Sequence, residues 1–162
     1  MKNRNLLLRM RNKLAGLSVL VLAACQSTTV YHSYLPVPTD GWEREDTLVY
    51  ALPPSVPAGE YEVNVGIRYL DAYPYRDIWL GISSNVQDTL HYVTDTLQLF
   101  LADETGNRTG SGSGGLYQCT LPYKMTFPIL QEGQNRTIRV VQIMKDHPLK
   151  GISDVGIQIK RK

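Results

Sequence analysis

The chain has 162 residues, enough for one domain with a real hydrophobic core, and it carries 17 Lys and Arg against 15 Asp and Glu. Five of the basic residues and none of the acidic ones precede Cys25, so the remainder has a net charge of 12 minus 15, or −3. This net negative charge removes the main argument that the protein binds nucleic acid.

The first 24 residues have the parts of a bacterial secretory signal. Basic residues come first, an apolar run over residues 14–24 follows, and the run ends in small residues. It is shorter than the roughly 20 apolar residues that span a bilayer, so we expect a cleaved signal-peptide helix. The sequence Leu22-Ala23-Ala24-Cys25 resembles the lipobox, in which Cys25 receives a diacylglyceryl group and the preceding bond is cut. The alternative is an ordinary signal peptide that happens to be cut near a cysteine.

These features predict a signal peptide over 1–24, a lipidated cysteine with a short tether over 25–29, and one domain over 30–162. Acyl chains such as palmitate on Cys25 would hold the domain close to the membrane. The tether has no acidic cluster of the kind that directs some bacterial lipoproteins to the cell surface. We therefore expect an outer-membrane anchor with the domain facing the periplasm. The basic tail over 160–162 is either a solvated chain end, which we favour, or a site for lipid headgroups.

The mature part is patterned as strands. Apolar and polar residues alternate clearly over 60–69, 78–83, 97–102 and 155–160, and less clearly over 30–34, 47–52, 116–127 and 137–144. Prolines, glycines and polar residues separate these segments, and no helical period is sustained. About eight short strands at this spacing predict an all-β fold, an antiparallel β-sandwich of which the jelly roll is one form. Cys119, left without a disulfide partner, is expected to be a buried strand residue.

No constellation of catalytic or metal-binding residues is apparent. Gly110, Gly112 and Gly115 match G-x-G-x-x-G, but a strand rather than a helix is expected to follow, so a loop needing positive φ is favoured over a nucleotide site. The histidines lack metal-ligand spacing, and the adjacent Asp103 and Glu104 would face opposite ways in a strand. We expect no enzyme activity, no metal and no cofactor other than the lipid on Cys25.

Aromatic residues are the better candidates for binding, because ten tyrosines and two tryptophans are many for this length. Trp79 lies on the face opposite Ile78, Leu80 and Ile82, so it is either a stacking platform on an open face or, as we favour, part of a covered core. The residues taken as a candidate interaction surface are Trp79, Trp42, Tyr73, Tyr75 and Arg76.

The tripeptide Asp-Thr-Leu occurs three times, beginning at Asp46, Asp88 and Asp95. It resembles the Asp-Ser/Thr-apolar acceptor of O-glycosylation in Bacteroidetes envelopes. The hypothetical acceptors are Thr47, Thr89 and Thr96.

Several blocks in order resemble the gliding-motility lipoprotein H (GldH) family of Bacteroidetes. They are Tyr31-His32 and Trp42, then Arg68 and Tyr73-Pro74-Tyr75-Arg76-Asp77-Ile78, then Leu101-Ala102-Asp103 with Gly106 and Gly110-Ser111-Gly112, and finally Gln142-Ile143-Met144-Lys145 and Leu149-Lys150-Gly151-Ile152-Ser153-Asp154-Val155-Gly156. The resemblance implies an envelope lipoprotein connected with the gliding apparatus, and it implies no catalytic residues.

Two functions of different classes follow from these observations. The first is a non-catalytic envelope lipoprotein, held at the membrane by its lipid, that docks onto other envelope proteins. The second is a glycan-binding β-sandwich that uses Trp79, Trp42 or Tyr75.

Overall fold

A computed structural model describes residues 28–87, 90–133 and 135–162. The predicted signal peptide, the lipid acceptor Cys25 and the candidate glycosylation site Thr89 lie outside the described residues. Among the described residues, no helix is long and apolar enough to cross a membrane.

The described chain folds into nine strands. They are β1 Thr29–Pro36, β2 Leu48–Leu52, β3 Gly59–Leu70, β4 Asp77–Ser84, β5 Val93–Phe100, β6 Ser111–Ser113, β7 Leu116–Ile129, β8 Arg136–Gln142 and β9 Ile152–Arg161. Eight of them lie where the alternation of apolar and polar residues predicts a strand. The exception is β6, whose three residues lie in the glycine-rich segment and carry no apolar side chain that could show a period.

The strands form two antiparallel sheets, in the orders β1-β9-β3-β7-β6 and β2-β8-β4-β5. Without the short β6, the order is that of a jelly roll: four strands in each sheet, with successive strands changing sheets except at the β4–β5 hairpin. The predicted antiparallel β-sandwich is therefore confirmed, and its connectivity is that of a jelly roll.

The core lies between the sheets and is built from the alternating residues of the strands. Tyr61, Val63, Val65, Ile67 and Tyr69 of β3 are all buried and face the buried Ile78, Leu80 and Ile82 of β4. Cys119 of β7 is buried with them, and burial raises the pKa of its thiol to about 11. The prediction of a buried structural cysteine is confirmed.

The sandwich has two ends of different composition. At the terminal end, the amide of Arg161 donates to the Thr28 carbonyl at 2.7 Å, and the loops formed by residues 53–58, 85–87, 90–92 and 130–133 gather beside them. Hydrogen bonds connect these segments, among them one from the amide of Gly133 to the Pro54 carbonyl and one from the Asn85 side chain to the Asn135 carbonyl.

The far end, one strand length away, carries the loops over 37–47, 71–76, 101–110 and 143–151. The amide of Trp42 donates to the Leu149 carbonyl at 2.9 Å, and the amide of Leu101 donates to the Arg76 carbonyl at 2.7 Å. All four loops are therefore cross-connected by backbone hydrogen bonds or by the side chains described below.

Candidate functional site

Trp79 lies on the outer face of β4 and is 39% exposed. The core alternative that the sequence favoured for this residue is wrong. The reason is geometric: Ile78, Leu80 and Ile82 point between the sheets, so Trp79 points away from the core, and the outer face of the four-stranded sheet remains open to solvent there.

Trp42 and Tyr73, by contrast, are fully buried, and burial removes both from the candidate interaction surface. The indole Nε1 of Trp42 donates to the Asp46 carbonyl at 2.8 Å, and the Tyr73 hydroxyl donates to the Asp77 carbonyl at 2.8 Å. Burial raises the pKa of the Tyr73 hydroxyl. Both residues cap the core from loops, where no periodicity distinguishes an inward side chain from an outward one.

Tyr75 and Arg76 both remain accessible. Tyr75 is half-buried, and its hydroxyl donates to the Asp146 carboxylate, which raises the pKa of that tyrosine. Arg76 is exposed, and its guanidinium lies 5.9 Å from the ring centroid of Phe100.

Apolar side chains lie near Trp79, and we call this surface the Trp79 face; its members are Arg76, Trp79, Phe100 and Ile143. The strand pairing brings Phe100 and Ile143 close to Trp79. Phe100 pairs with Asp77, two residues from Trp79, and the amide of Ile143 donates to the Trp79 carbonyl at 3.0 Å. All three apolar members are exposed, and Phe100 is 51% exposed.

The indole of Trp79 is held in place by polar neighbours. Its Nε1 donates to the Asp77 carboxylate at 2.9 Å, and the same carboxylate accepts from the Gln98 amide at 2.6 Å. A ring that is oriented in the free protein loses little conformational freedom on binding, which favours contact with a partner.

Two members of the Trp79 face, Phe100 and Ile143, were missed at the sequence level. A signal exists for Phe100, because it alternates with Leu99 and Leu101 and must therefore point outward. Ile143 joins the face only because the chain after β8 pairs with β4, a distant segment of the sequence.

The outer face of the five-stranded sheet is polar instead. Arg68 lies 3.9 Å from Asp154, and Lys160 lies 3.9 Å from Glu62. The Tyr34 ring lies on this face over Gly66. The Arg68 guanidinium stacks on the ring, with its Cζ 4.1 Å from the ring centroid. This face is closed by its own side chains, so the Trp79 face is the more apolar of the two.

Most blocks that carry the family resemblance serve to connect the loops of the far end. Gln142 is fully buried; its Nε2 donates to the carbonyls of Trp42 and Asp146, both at 3.2 Å, and its Oε1 accepts from the Met144 amide at 2.7 Å. Because every polar group of this side chain is paired, burial is tolerated and the loop is fixed.

A second connection joins the loops over 71–76 and 101–110. The guanidinium of Arg108 donates to the carbonyl of Asp71 at 2.5 Å and to that of Tyr73 at 3.2 Å. The Tyr69 hydroxyl donates to the carbonyls of Leu101 and Thr109, and burial raises its pKa to about 12.

An open pocket of about 520 Å³ lies between the Pro74-Tyr75 turn and the loop over 145–150. Pro74, Tyr75 and Pro148 form its apolar walls, and Lys145 and Lys150 carry positive charge at its rim. The pocket is also at the far end of the sandwich.

Asp103 is held by hydrogen bonds from residues of its own loop. Its carboxylate accepts from the backbone amide and hydroxyl of Thr105 and from the backbone and side-chain amides of Asn107, all at 2.7–2.9 Å. These donors, the Thr105 hydroxyl first, lower the pKa of Asp103 to about 2. A carboxyl group held ionised in this way is a poor proton donor near neutral pH.

The histidine, cysteine and acidic side chains of the described residues form no metal-binding cluster. The histidines His32, His91 and His147 are exposed, and the described residues contain no group of three or more His, Cys, Asp or Glu placed to hold a metal. Gly110 and Gly115 adopt positive φ, as expected of the glycine-rich segment, and strand β7 follows it. Thr47 and Thr96 are exposed, and their glycosylation stays a prediction.

Comparison with known proteins identifies the family. The model of the GldH lipoprotein family matches residues 29–159. Gliding motility lipoprotein GldH from Flavobacterium johnsoniae is 24% identical over 163 residues, an alignment that covers 94% of this chain and 99% of that protein.

Solved structures resemble the fold only weakly. A family 35 carbohydrate-binding module from Clostridium thermocellum is 14% identical with a TM-score of 0.36, covering 80% of this chain and 99% of that one. A fructofuranosidase from Schwanniomyces occidentalis is 9% identical with a TM-score of 0.36; the match covers 82% of this chain and 34% of the enzyme. Likeness at this level carries no information on what this chain binds. The match to the family model over most of the chain shows that the chain belongs to the GldH lipoprotein family.

Proposed function

We propose that this protein is a non-catalytic lipoprotein, anchored by acyl chains on Cys25 in the outer membrane and facing the periplasm, that docks onto another envelope protein. The docking surface is the Trp79 face. The relative named as a gliding motility lipoprotein supports a role in the same process.

The observation that carries this proposal is the composition of the Trp79 face. Trp79 and Phe100 are both exposed at diagonal positions on the paired strands β4 and β5, with Arg76 beside Phe100. Tryptophan and arginine are enriched among the residues that dominate binding energy at protein interfaces, and Phe is enriched at interfaces generally. The aliphatic Ile143 extends this surface on the other side of Trp79, and an apolar face of this kind suits a protein partner.

The position of this face also supports docking. Phe100 and Ile143 lie at the far end, opposite the residues that follow the lipid acceptor. β3 has 12 residues, so the far end stands roughly 40 Å from the terminal end. A partner can reach the Trp79 face without displacing the membrane.

The experiment is a pull-down of the tagged, full-length lipoprotein from crosslinked native envelopes, compared between wild type, Trp79→Ala and Phe100→Ala. Truncation of a central interface residue weakens binding by at least about 2 kcal/mol, or roughly thirtyfold, so we expect the specific partner to be lost from both variants. Met125→Ala is the matched control, because Met125 is also apolar and exposed but lies on the other sheet.

Thermal melting of each variant separates lost binding from lost folding, since all three substitutions remove exposed side chains. A Cys25→Ala variant tests the anchor and should be absent from the membrane fraction. Equal recovery of the same partners by wild type, Trp79→Ala and Phe100→Ala would overturn the docking proposal.

Glycan binding is the second candidate, and one observation favours it: the exposed indole of Trp79 is flanked by the polar groups of Asp77 and Gln98. A sugar ring could stack on the indole and bond to these groups. The test is a glycan array with wild type and Trp79→Ala. Binding by wild type that Trp79→Ala abolishes would favour this function over docking.

A further inference from the structure

The most exposed apolar side chains do not belong to the Trp79 face. Among the described residues, Leu90 is 84% exposed, Leu130 is 68% exposed and Met125 is 63% exposed, more than any other large hydrophobic residue. Leu90 and Leu130 stand in the two loops of the terminal end that precede β5 and β8, and Met125 lies in the adjoining part of β7.

The start of the described chain lies at this same end. Thr28 is three residues beyond Cys25, and three residues can span at most about 10 Å. The Thr28 carbonyl accepts from the Arg161 amide, and the Lys162 amide donates to the Glu60 carbonyl at the start of β3. An acyl chain on Cys25 would therefore hold the terminal end, and not the far end, against the bilayer.

Charged residues lie at the same end of the sandwich as the apolar tips. Arg161 and Lys162 are exposed, and the Lys162 Nζ donates to the Thr126 hydroxyl at 2.6 Å, next to Met125. Glu60 and Glu132 are exposed at the same end, so its charge is mixed, and apolar contact rather than net charge must supply most of the attraction.

We infer that the terminal end is a membrane-contact surface: Leu90 and Leu130 insert into the interfacial region of the bilayer to which the protein is anchored, and Arg161 and Lys162 lie at the level of the lipid headgroups. The occupant of this surface is a lipid bilayer. The inference rests on the proposed anchor at Cys25, which is what brings this end to the membrane.

The consequence is a defined orientation. A lipid on a short tether would let the domain rotate freely, whereas two apolar side chains in separate loops add contacts that fix its tilt. With the terminal end on the bilayer, the strands stand upright and the far end with its loops and pocket is presented to the periplasm. The anchor and the docking face would then act from opposite ends of one rigid sandwich.

The test uses full-length lipidated protein in vesicles of phosphatidylethanolamine and phosphatidylglycerol. An environment-sensitive fluorophore is attached at Leu90→Cys, at Leu130→Cys or, as the control, at Phe100→Cys, which replaces an exposed apolar residue at the far end. The wild type sets the background labelling of Cys119, whose buried thiol has a pKa of about 11 and reacts slowly.

We expect the labels at positions 90 and 130 to show a blue-shifted emission and to be quenched by brominated lipid, and the label at position 100 to show neither. Labels at 90 and 130 that behave like the one at 100 would overturn the inference. A blue shift without quenching by brominated lipid would mean that a protein surface, such as a second copy, covers these tips, and this too would overturn it.

Intact mass of the same samples keeps the two proposals distinguishable. If Cys25 carries its lipid while the tips stay in water, the anchor stands and the membrane-contact surface fails. If Cys25 carries no lipid, the anchor fails, and the labels still report whether the terminal end contacts the added vesicles.

Discussion

The two ends of this jelly roll differ in the side chains that their loops present. At the far end, the buried Gln142 and the half-buried Arg108 tie the loops to one another through hydrogen bonds. At the terminal end the buried Asn85 makes similar bonds, but Leu90 and Leu130 project into solvent. A rigid end suits a surface that must present a fixed shape. Exposed leucines on loop tips suit an end that contacts a lipid bilayer.

The contrast extends to a buried charge. Arg136, the first residue of β8 at the terminal end, is buried, and its Nε and Nη1 have no hydrogen-bond partner among the described residues. At the far end the buried Gln142 has all of its polar groups paired. Of these two buried polar side chains, the one at the far end has more of its polar groups paired.

The largest effect is expected from a matched pair of glycine substitutions. Gly151 at the far end has a φ of +89°, and a Cβ there would lie 2.8 Å from the Tyr73 Cα. Gly133 at the terminal end has a φ of +75° with nothing within 4 Å of its Cβ position. Gly151→Ala should lower the free energy of unfolding by about 3 kcal/mol, from backbone strain plus overlap, and Gly133→Ala by about 1 kcal/mol from strain alone.

Chemical denaturation of both variants beside the wild type measures these losses. Equal losses from the two substitutions would show that the far end can shift to admit a methyl group, and that it is no more tightly packed than the terminal end.

A gain in stability is expected from Arg136→Met. Removing a buried charge whose Nε and Nη1 have no hydrogen-bond partner among the described residues, while keeping the aliphatic volume, should raise the free energy of unfolding by about 2 kcal/mol. The control is Arg139→Met on the same strand, because Arg139 is exposed and stacks on the Tyr92 ring at 4.3 Å. That control should change stability by less than about 0.5 kcal/mol. A loss of stability in Arg136→Met would mean that the guanidinium is satisfied, and the two ends would then be alike.

The smallest effect is local and concerns the loop over 101–110. The hydroxyl of Thr105 and the amides of Asn107 hold the pKa of Asp103 at about 2, below its ordinary value of 3.8. Because the folded pKa is the lower one, the stabilisation that Asp103 contributes is present above about pH 4 and is lost as the pH falls through about 2.

An NMR titration of the Asp103 carboxyl carbon checks this expectation. Thr105→Val removes the strongest donor, so the midpoint should rise toward the ordinary value. A wild-type midpoint already near 3.8 would contradict the hydrogen-bonded loop.

Much of the architecture was predictable because half-buried strands show alternating apolar and polar residues in the sequence. The residues of β3 alternate without a break from Tyr61 to Tyr69, and burial of one sheet face is the direct cause of that pattern. The short β6 was not predictable, because its Ser-Gly-Ser residues pair with β7 through the backbone alone.

The functional surface was predictable only in part. Trp79 points outward because Ile78 and Leu80 on either side of it point into the core. Burial of Trp79 was nevertheless favoured, because a sequence does not show whether another layer covers the outer face of a sheet. Trp42 and Tyr73 are large aromatic residues in loops, where no periodicity predicts which side chains are buried. Contacts with residues far away in the sequence bury them.

The sequence by itself determined the class of the fold, the buried role of Cys119 and the family, because these depend on local periodicity and on the order of short motifs. Only the tertiary structure decided which aromatic residues face solvent and which loops meet at each end. Those outcomes depend on the pairing of strands far apart in the chain. The strand order brings Thr28 and Leu130 to the same end of the sandwich and sets Phe100 at the opposite end, and no local property of these residues specifies that arrangement.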